Sequence, residues 1–444
     1  MNTRPTYIFE NGLRKVQPFF HKSEIHAKHR WVGRTLCDVM KNEFNESPTI
    51  ICHEITNRLI YIWTNHGKRK NLQERLEGWD LLKDRPIDRF DVIHIQRHRH
   101  EPSVPDWAGT SNPATVEEYR RTLSNYPSQL KTSIKIVFES PDLLVVSKPP
   151  GIPTHPTGNY YYNTITEILK FDLNLDNIWP CHRLDKVTSG ILILAKNKQA
   201  SIDYQLILTN DKVSTTKLYY ARVCGKFPQK EVMVNCPVFS VNSCGAFLNP
   251  SNATEIPRNS TTIFKSVKYS EALNESIVVC QPLTGKMHQI RIHLRNMGYP
   301  IVDDFKYNPA AKQLLNQEIM KITNDLETML YERLFEKYPK FKEFLPVDRS
   351  IVSTTECIDV AGITEWNSDP IILQHVDLIR QKRANWFANL RNTFDTTCTV
   401  CHRDLLDTDK DLSDLSIMLH AFKYQYDGTT SFDFEDSPPQ WCTF

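Results

Sequence analysis

The stretch Gly190-Ile191-Leu192-Ile193-Leu194-Ala195 carries no polar side chain. It is far shorter than the roughly 18–20 residues a membrane helix needs. It also lacks the alternation of a strand with one wet face. A run of this kind predicts a strand buried on both faces, at the centre of a sheet covered on both sides. Immediately before it stand His182-Arg183-Leu184-Asp185 and Thr188-Ser189. A carboxylate therefore sits on the loop that feeds the most rigid element, where a scaffold can hold a catalytic group. Read alone, such an Asp serves equally as a helix cap or a surface ion pair.

Further elements gather around that strand. Ile134 to Phe138 and Leu143 to Ser147 are apolar runs split by Ser140-Pro141-Asp142, a hairpin signal. Lys148-Pro149-Pro150-Gly151 stops the second run. Leu218–Val223, Thr262–Val267 and Ser276–Cys280 read as strands, and Thr164–Leu169, Ala200–Thr209 and His288–Met297 as helices. Strands outnumber helices and the two do not alternate regularly. The pattern predicts an α+β fold with a mixed, largely antiparallel sheet and flanking helices.

Residues 1–105 form a candidate N-terminal module of small α/β type. Leu36, Val39, Met40 and Phe44 recur at helical spacing, and Leu59–Trp63 and Val92–Gln96 are short strand-like runs. Basic residues cluster there as Arg30 and Arg34, as Lys68 to Lys70, and as Arg97 to His100, near Trp31 and Trp63. Such a face suits a phosphate backbone with some base stacking, and equally a solvated charged surface. Residues 106–130, rich in Pro, Ser, Thr and Asn, read as a linker to a core at 131–307. Residues 308–444 read as an extension, a long charged helix over Pro309–Tyr338 and then irregular chain. Its tail gathers Asp433, Glu435 and Asp436, which favours a solvated segment.

Net charge is only +2, so a nucleic-acid site must be a local basic surface. No apolar run is long enough to span a membrane, and the N-terminus carries neither a signal-peptide core nor a presequence pattern. Eleven scattered cysteines suggest reduced thiols. Only Cys398 and Cys401 form a CxxC pair; His402, His420 and Cys442 fit no standard metal spacing with it. The expectation is no metal and no cofactor. The absence of a GxGxxG or P-loop pattern agrees with it.

Chemistry is concentrated in three places. Asp185 is the first. His288, Arg291 and Arg295 lie at i, i+3 and i+7, so one helix face carries them. Lys217-Leu218-Tyr219-Tyr220-Ala221 is a strand with adjacent aromatics on opposite faces. An Arg that holds a carboxylate ionised and a Tyr that stacks on a base suit chemistry on a nucleotide.

Together these segments resemble the RluA-type pseudouridine synthases. His182–Lys196, HRLDKVTSGILILAK, is similar to the family's signature. LLVVSKPPGIPTHP at Leu143–Pro156, KLYYARV at Lys217–Val223 and GKMHQIRIHLRNMGYPIVDD at Gly285–Asp304 resemble its other motifs in the same order. The match spans roughly 134–307. The resemblance implies that Asp185 is the catalytic nucleophile or general base. It implies that Arg183 helps fill the place of the flipped-out uridine, that Tyr219 stacks on uracil, that Arg291 pairs with Asp185 and that Leu294 packs behind the site. His288 and Gln289 are expected at the substrate. Two departures stand beside these positions: Lys286-Met287 replaces the family's Arg-Thr before His288, and Asp303-Asp304 replaces Gly-Asp.

The flanks resemble a eukaryotic branch that modifies uridines of the tRNA anticodon stem: Tyr7–Phe20, Arg30–Val39, the CxxC pair and Leu419–Tyr424. The resemblance implies a cofactor-independent RNA isomerase acting on tRNA as a monomer, off the membrane. The expected compartment is the cytoplasm, with nucleus and mitochondrion as alternatives. A catalytically dead RNA-binding protein would lack Asp185, Tyr219 or Arg291. A hydrolytic nucleosidase asks for a second convergent carboxylate.

Overall fold

The structure is a computed structural model. It describes residues 5–10, 12–44, 46–65, 73–106, 134–209, 215–238, 259–308, 310–311, 317–337, 370–393, 398, 400–401, 415–428 and 430–444. The chain divides into two compact units. The larger holds Met1–Val16, Pro102–Thr396 and Leu406–Phe444, the smaller Gln17–Glu101 and Thr397–Leu405. The boundary expected at residue 105 is thus displaced at both ends. Most of the expected linker lies outside the described residues.

The larger unit opens with the hairpin β1 (Tyr7–Glu10) and β2 (Leu13–Val16). The smaller unit follows. Its antiparallel sheet has the order β3-β6-β4-β5, from β3 (Phe19–His26), β4 (Ile60–Asn65), β5 (Gln73–Glu77) and β6 (Val92–Arg99). Helices α1 (Leu36–Glu43), α2 (Pro48–Thr56) and α3 (Trp79–Leu82) accompany it. The Thr35 hydroxyl caps α1 by accepting from the Asp38 amide at 3.2 Å. Ser47 does the same for α2, with Pro48 at its first position. Leu36, Val39, Met40, Ile51 and Ile55 pack on Ile60, Ile62, Ile93 and Ile95.

The basic face expected here is largely spent within the unit. Trp31 is 1% exposed, a core residue and not a stacking platform. Arg30 and Arg34 pair with Glu43, Arg34 also with Asp38. Arg97 pairs with Glu46 and Glu54. Lys68 to Lys70 lie outside the described residues.

Back in the larger unit, β7 (Val104–Pro105) joins β2, and a ten-stranded sheet follows. Its strands are β8 (Lys135–Glu139), β9 (Leu143–Lys148), β10 (Trp179–Pro180), β11 (Ser189–Ala195), β12 (Thr215–Cys224), β13 (Val232–Pro237), β14 (Asn259–Ser270), β15 (Glu275–Pro282), β16 (Leu419–Tyr426) and β17 (Phe432–Glu435). The path runs β13-β14-β15-β12-β16-β11-β9-β8, with β10 on β11 and β17 on β16. Every pair is antiparallel except β11 with β16.

The apolar runs have a simple cause. Leu144, Val146, Leu192 and Leu194 face one cluster with Ile165, Ile168 and Leu169 of α4 (Ile165–Asp172). Leu143, Val145, Ile191 and Ile193 face another with Ala200 and Leu208 of α5 (Lys198–Thr209). Both faces of β9 and β11 are therefore dry, each large side chain contributing about 1.5–3 kcal/mol. A third cluster joins β12, β14 and β15 to Ile290, Ile292 and Leu294 of α6 (Gln289–Asn296).

The C-terminal region departs from expectation. It holds helices α7 (Gln317–Lys337) and α8 (Pro370–Thr393), and it is no mere appendage. β16 lies between β11 and β12, in the middle of the sheet. Gly190 makes this possible. Its φ is +109°, and a Cβ there would lie 2.2 Å from the Ala421 carbonyl oxygen. The acidic tail is strand: Phe432 and Phe434 point in, Asp433 and Glu435 out. Asp436 is buried and accepts from Lys135 Nζ at 2.8 Å.

Candidate active site

The loop before β11 is braced residue by residue. The Ile193 amide donates to His182 Nε2 at 3.1 Å, and the His182 ring stacks on Tyr424 at 4.7 Å between centroids. Thr154 Oγ1 donates to the Leu184 carbonyl at 3.2 Å and lies 3.3 Å from the Leu184 amide that donates back to it. The Lys186 carbonyl accepts from the Gly151 amide at 2.7 Å and from Lys148 Nζ at 3.0 Å. The Thr188 amide closes the turn on the Asp185 carbonyl at 3.1 Å. The Lys-Pro-Pro-Gly turn and the Thr154 hydroxyl thus hold the loop from both sides, and Asp185 between them has one direction in which to point.

That direction is Arg291. Arg291 Nη1 donates to Asp185 Oδ2 at 3.2 Å. The rest of the guanidinium grips Asp304 as a fork, Nε to Oδ2 at 2.7 Å and Nη2 to Oδ1 at 2.8 Å. Asp304 is in turn fixed by the Lys306 and Tyr307 amides at 3.1 and 3.2 Å. The two carboxylates differ in access: the Asp304 side chain is 1% exposed, that of Asp185 19%. One carboxylate anchors the arginine and the other remains reachable.

Electrostatics follow from this arrangement. Burial opposes ionisation of Asp185, yet the charges of His288, Arg291 and Arg183 and the Arg291 hydrogen bond outweigh it and hold its pKa below the ordinary value. His288 itself is pushed down to about 3, chiefly by burial and then by Arg291. At neutral pH the charge that favours the Asp185 carboxylate is therefore that of the two arginines. His288 Nε2 lies 3.6 Å from Asp185 Oδ2, and its Nδ1 is 2.7 Å from the Tyr307 hydroxyl. Its backbone is left-handed, φ +58°, at the mouth of α6. Lys148 is fully buried, and burial lowers its pKa to about 7.

The other expected residues sort themselves by position. Tyr219 on β12 is partly buried, and its hydroxyl lies 2.5 Å from that of Tyr424 on β16. Burial, and to a lesser degree the Asp185 charge, raises the Tyr219 pKa to about 12. Arg183 is exposed beside Asp185. Leu294 is fully buried in one cluster with Val187, two residues beyond Asp185. Gln289 departs from expectation. Its amide nitrogen donates to the Thr261 carbonyl and Thr262 Oγ1, both at 2.9 Å, and its Oε1 accepts from Thr284 Oγ1 and the Lys286 amide at 2.9 and 3.0 Å. Its polar atoms are occupied in bracing the turn before α6. Arg295 shares the Tyr307 ring with Arg291, at 5.1 and 4.9 Å, but its guanidinium pairs with buried Glu327 on α7. Sequence reasoning passed over Lys148, Tyr307 and Tyr424, and saw Asp304 only as a departure from a motif.

The arrangement is an ionised, largely sheltered carboxylate held by an arginine near an aromatic strand, a class of site that can serve as base or nucleophile. Comparison with known proteins narrows the class. Residues 142–296 match the family described as RNA pseudouridylate synthase. The tRNA pseudouridine(31) synthase of Saccharomyces cerevisiae is 31% identical over 98% of this chain and 96% of its own. Mouse pseudouridylate synthase RPUSD2 is 30% identical over 98% of this chain and 73% of its own. The mitochondrial tRNA pseudouridine(32) synthase of Saccharomyces cerevisiae is 29% identical over 98% and 76%. The chain belongs to the RNA pseudouridylate synthase family. It is an RNA pseudouridine synthase, an isomerase acting on uridine within RNA.

Proposed function

We propose that the protein converts a uridine of the tRNA anticodon stem to pseudouridine, with Asp185 as the catalytic carboxylate and without a cofactor. The observation that carries this reading is the unequal grip of Arg291 on Asp304 and Asp185, which leaves Asp185 charged and accessible. The names of two relatives, one for position 31 and one for position 32 of tRNA, support the anticodon arm as target.

The reaction breaks the N1–C1′ bond, turns the base and joins C5 to C1′. C5 loses a proton and N1 gains one, so substrate and product have the same composition. The target base leaves its stack at a cost of a few kcal/mol, and Arg183, exposed beside the site, fills the space. Asp185 acts at the sugar, either by attack at C1′ or by removal of a sugar proton to give a glycal. Both courses need an ionised carboxylate shielded from bulk water. Tyr219 stacks on uracil, its hydroxyl end held by the Tyr424 hydroxyl. His288, neutral, contacts the substrate beside Asp185. The protein works as a monomer on cytoplasmic tRNA. Among the described residues, no helix is long and apolar enough to cross a membrane.

Carbodiimide primer-extension mapping of a tRNA pool tests the reading. Wild type creates a new stop in the anticodon stem, first sought at position 31 after the yeast relative; Asp185→Ala does not. No new stop with wild type, or an undiminished stop with the variant, sinks it.

A further inference from the structure

The CxxC pair finds partners that its sequence neighbourhood does not contain. His402 lies outside the described residues, and His420 is engaged with Ser189 Oγ at 2.9 Å. The partners are instead His98 and His100, about 300 positions earlier in the chain. All four residues belong to the smaller unit.

Their geometry is that of convergent donors. His98 and His100 alternate with Arg99 at the end of β6, so the two imidazoles leave the same face. Cys398 Sγ lies 3.4 Å from His98 Nδ1, and Cys401 Sγ 3.4 Å from His100 Nε2. His100 Nε2 lies 3.1 Å from His98 Nδ1, and all four ligand atoms fall within 4.8 Å of one another. A tetrahedron around zinc, with bonds near 2.1 Å to nitrogen and 2.3 Å to sulfur, has edges of about 3.4–3.8 Å. The Val400 amide also donates to Cys398 Sγ at 3.3 Å. Backbone donation to a sulfur supports a coordinating thiolate in the manner of outer-shell partners.

We propose that His98, His100, Cys398 and Cys401 form a structural zinc site that pins the late Cys398–Cys401 turn to the end of β6. Two thiolates and two imidazoles in a tetrahedral set favour zinc over the oxygen-seeking divalent ions. Four protein ligands leave no open position, so the site is a clamp and not a second catalytic centre. The metal closes the chain across the whole span between the two motifs. The smaller unit then acquires a segment that its own first hundred residues do not supply.

The test uses the full-length protein purified without chelator. Elemental analysis is expected to find one equivalent of zinc per chain. The double variant Cys398→Ser/Cys401→Ser is expected to lose it, while Cys52→Ser, at an exposed thiol of the same unit, keeps it. Protein produced with cobalt in place of zinc is expected to show the absorption of tetrahedral cobalt bound to sulfur, absent from the double variant. A readout on wild type alone guards against a variant that fails to fold: Cys398 and Cys401 should react with iodoacetamide only after a chelator is added. Zinc well below one equivalent, zinc retained by the double variant, iron in its place, a Cys398–Cys401 disulfide by mass, or equal alkylation with and without chelator would each overturn the assignment.

Discussion

Two groups of four side chains invite comparison. Asp185, Arg291 and Asp304 in the larger unit close on one another through hydrogen bonds and opposite charges, with neutral His288 3.6 Å from Asp185. His98, His100, Cys398 and Cys401 in the smaller unit bring four potential metal-ligand atoms within 4.8 Å of one another. The first group is complete with its own protons. The second, as the two thiolates and two neutral rings of the proposed zinc site, balances around the cation. Convergence of polar side chains is thus two different signals, and the sum of donors and acceptors tells them apart.

The largest expected effect breaks the first group at its working member. Asp185→Asn keeps the shape and removes the charge. Turnover of the target uridine should fall by roughly 10²–10⁴-fold or more, with a cooperative unfolding transition as the control that the variant is folded. Next comes the anchor. Asp304→Asn leaves Arg291 buried against a single partner and should cost about 3–5 kcal/mol of stability, read in urea. If Asp304 proved dispensable, the first group would be no more self-sufficient than the second. Gly190→Ala should follow at roughly 1–3 kcal/mol, because its φ is +109° and β16 cannot retreat. Tyr424→Phe removes one hydroxyl from the pair with Tyr219 and should cost about 1 kcal/mol, seen in kcat more than in KM.

The remaining effect is one of pH. The Lys148 pKa is lowered from 10.5 to about 7 by burial. Between those values the folded protein binds fewer protons than the unfolded chain, so stability rises with pH across that window. Below it the full cost of the buried charge persists. Lys148→Met should flatten this slope, and midpoints at neutral and alkaline pH for both proteins check it. An unchanged slope would mean that the carbonyls of Pro149 and Lys186 keep Lys148 charged.

Much of the larger unit was legible, and for a physical reason. β9 and β11 are dry on both faces, and unbroken apolar runs announce that. Asp185, Tyr219 and Arg291 sit in contiguous motifs, so their neighbours in sequence carried the resemblance. What escaped depends on distance along the chain. β16 reads Leu419-His420-Ala421-Phe422-Lys423-Tyr424, and its burial comes from strands some two hundred residues earlier. The alternation Phe432-Asp433-Phe434-Glu435 was present but short, and its acids suggested solvent. His98 and His100 lay inside a basic cluster, where nothing local separates a charged surface from a pair of ligands. Trp31 was misplaced for the same reason: its flanking arginines pair with Glu43 while the ring turns inward.

The place of β16 has a consequence for how this enzyme is born. Tyr219 and Tyr424, joined across neighbouring strands, are 205 residues apart. At a synthesis rate of roughly 5–20 residues per second, the ribosome takes roughly 10–40 seconds between one and the other. Throughout that interval β11 and β12 have no strand between them, and their backbone edges offer themselves to any passing chain. A chain that stops before Leu419 carries every catalytic motif but lacks the strand that pairs with both β11 and β12.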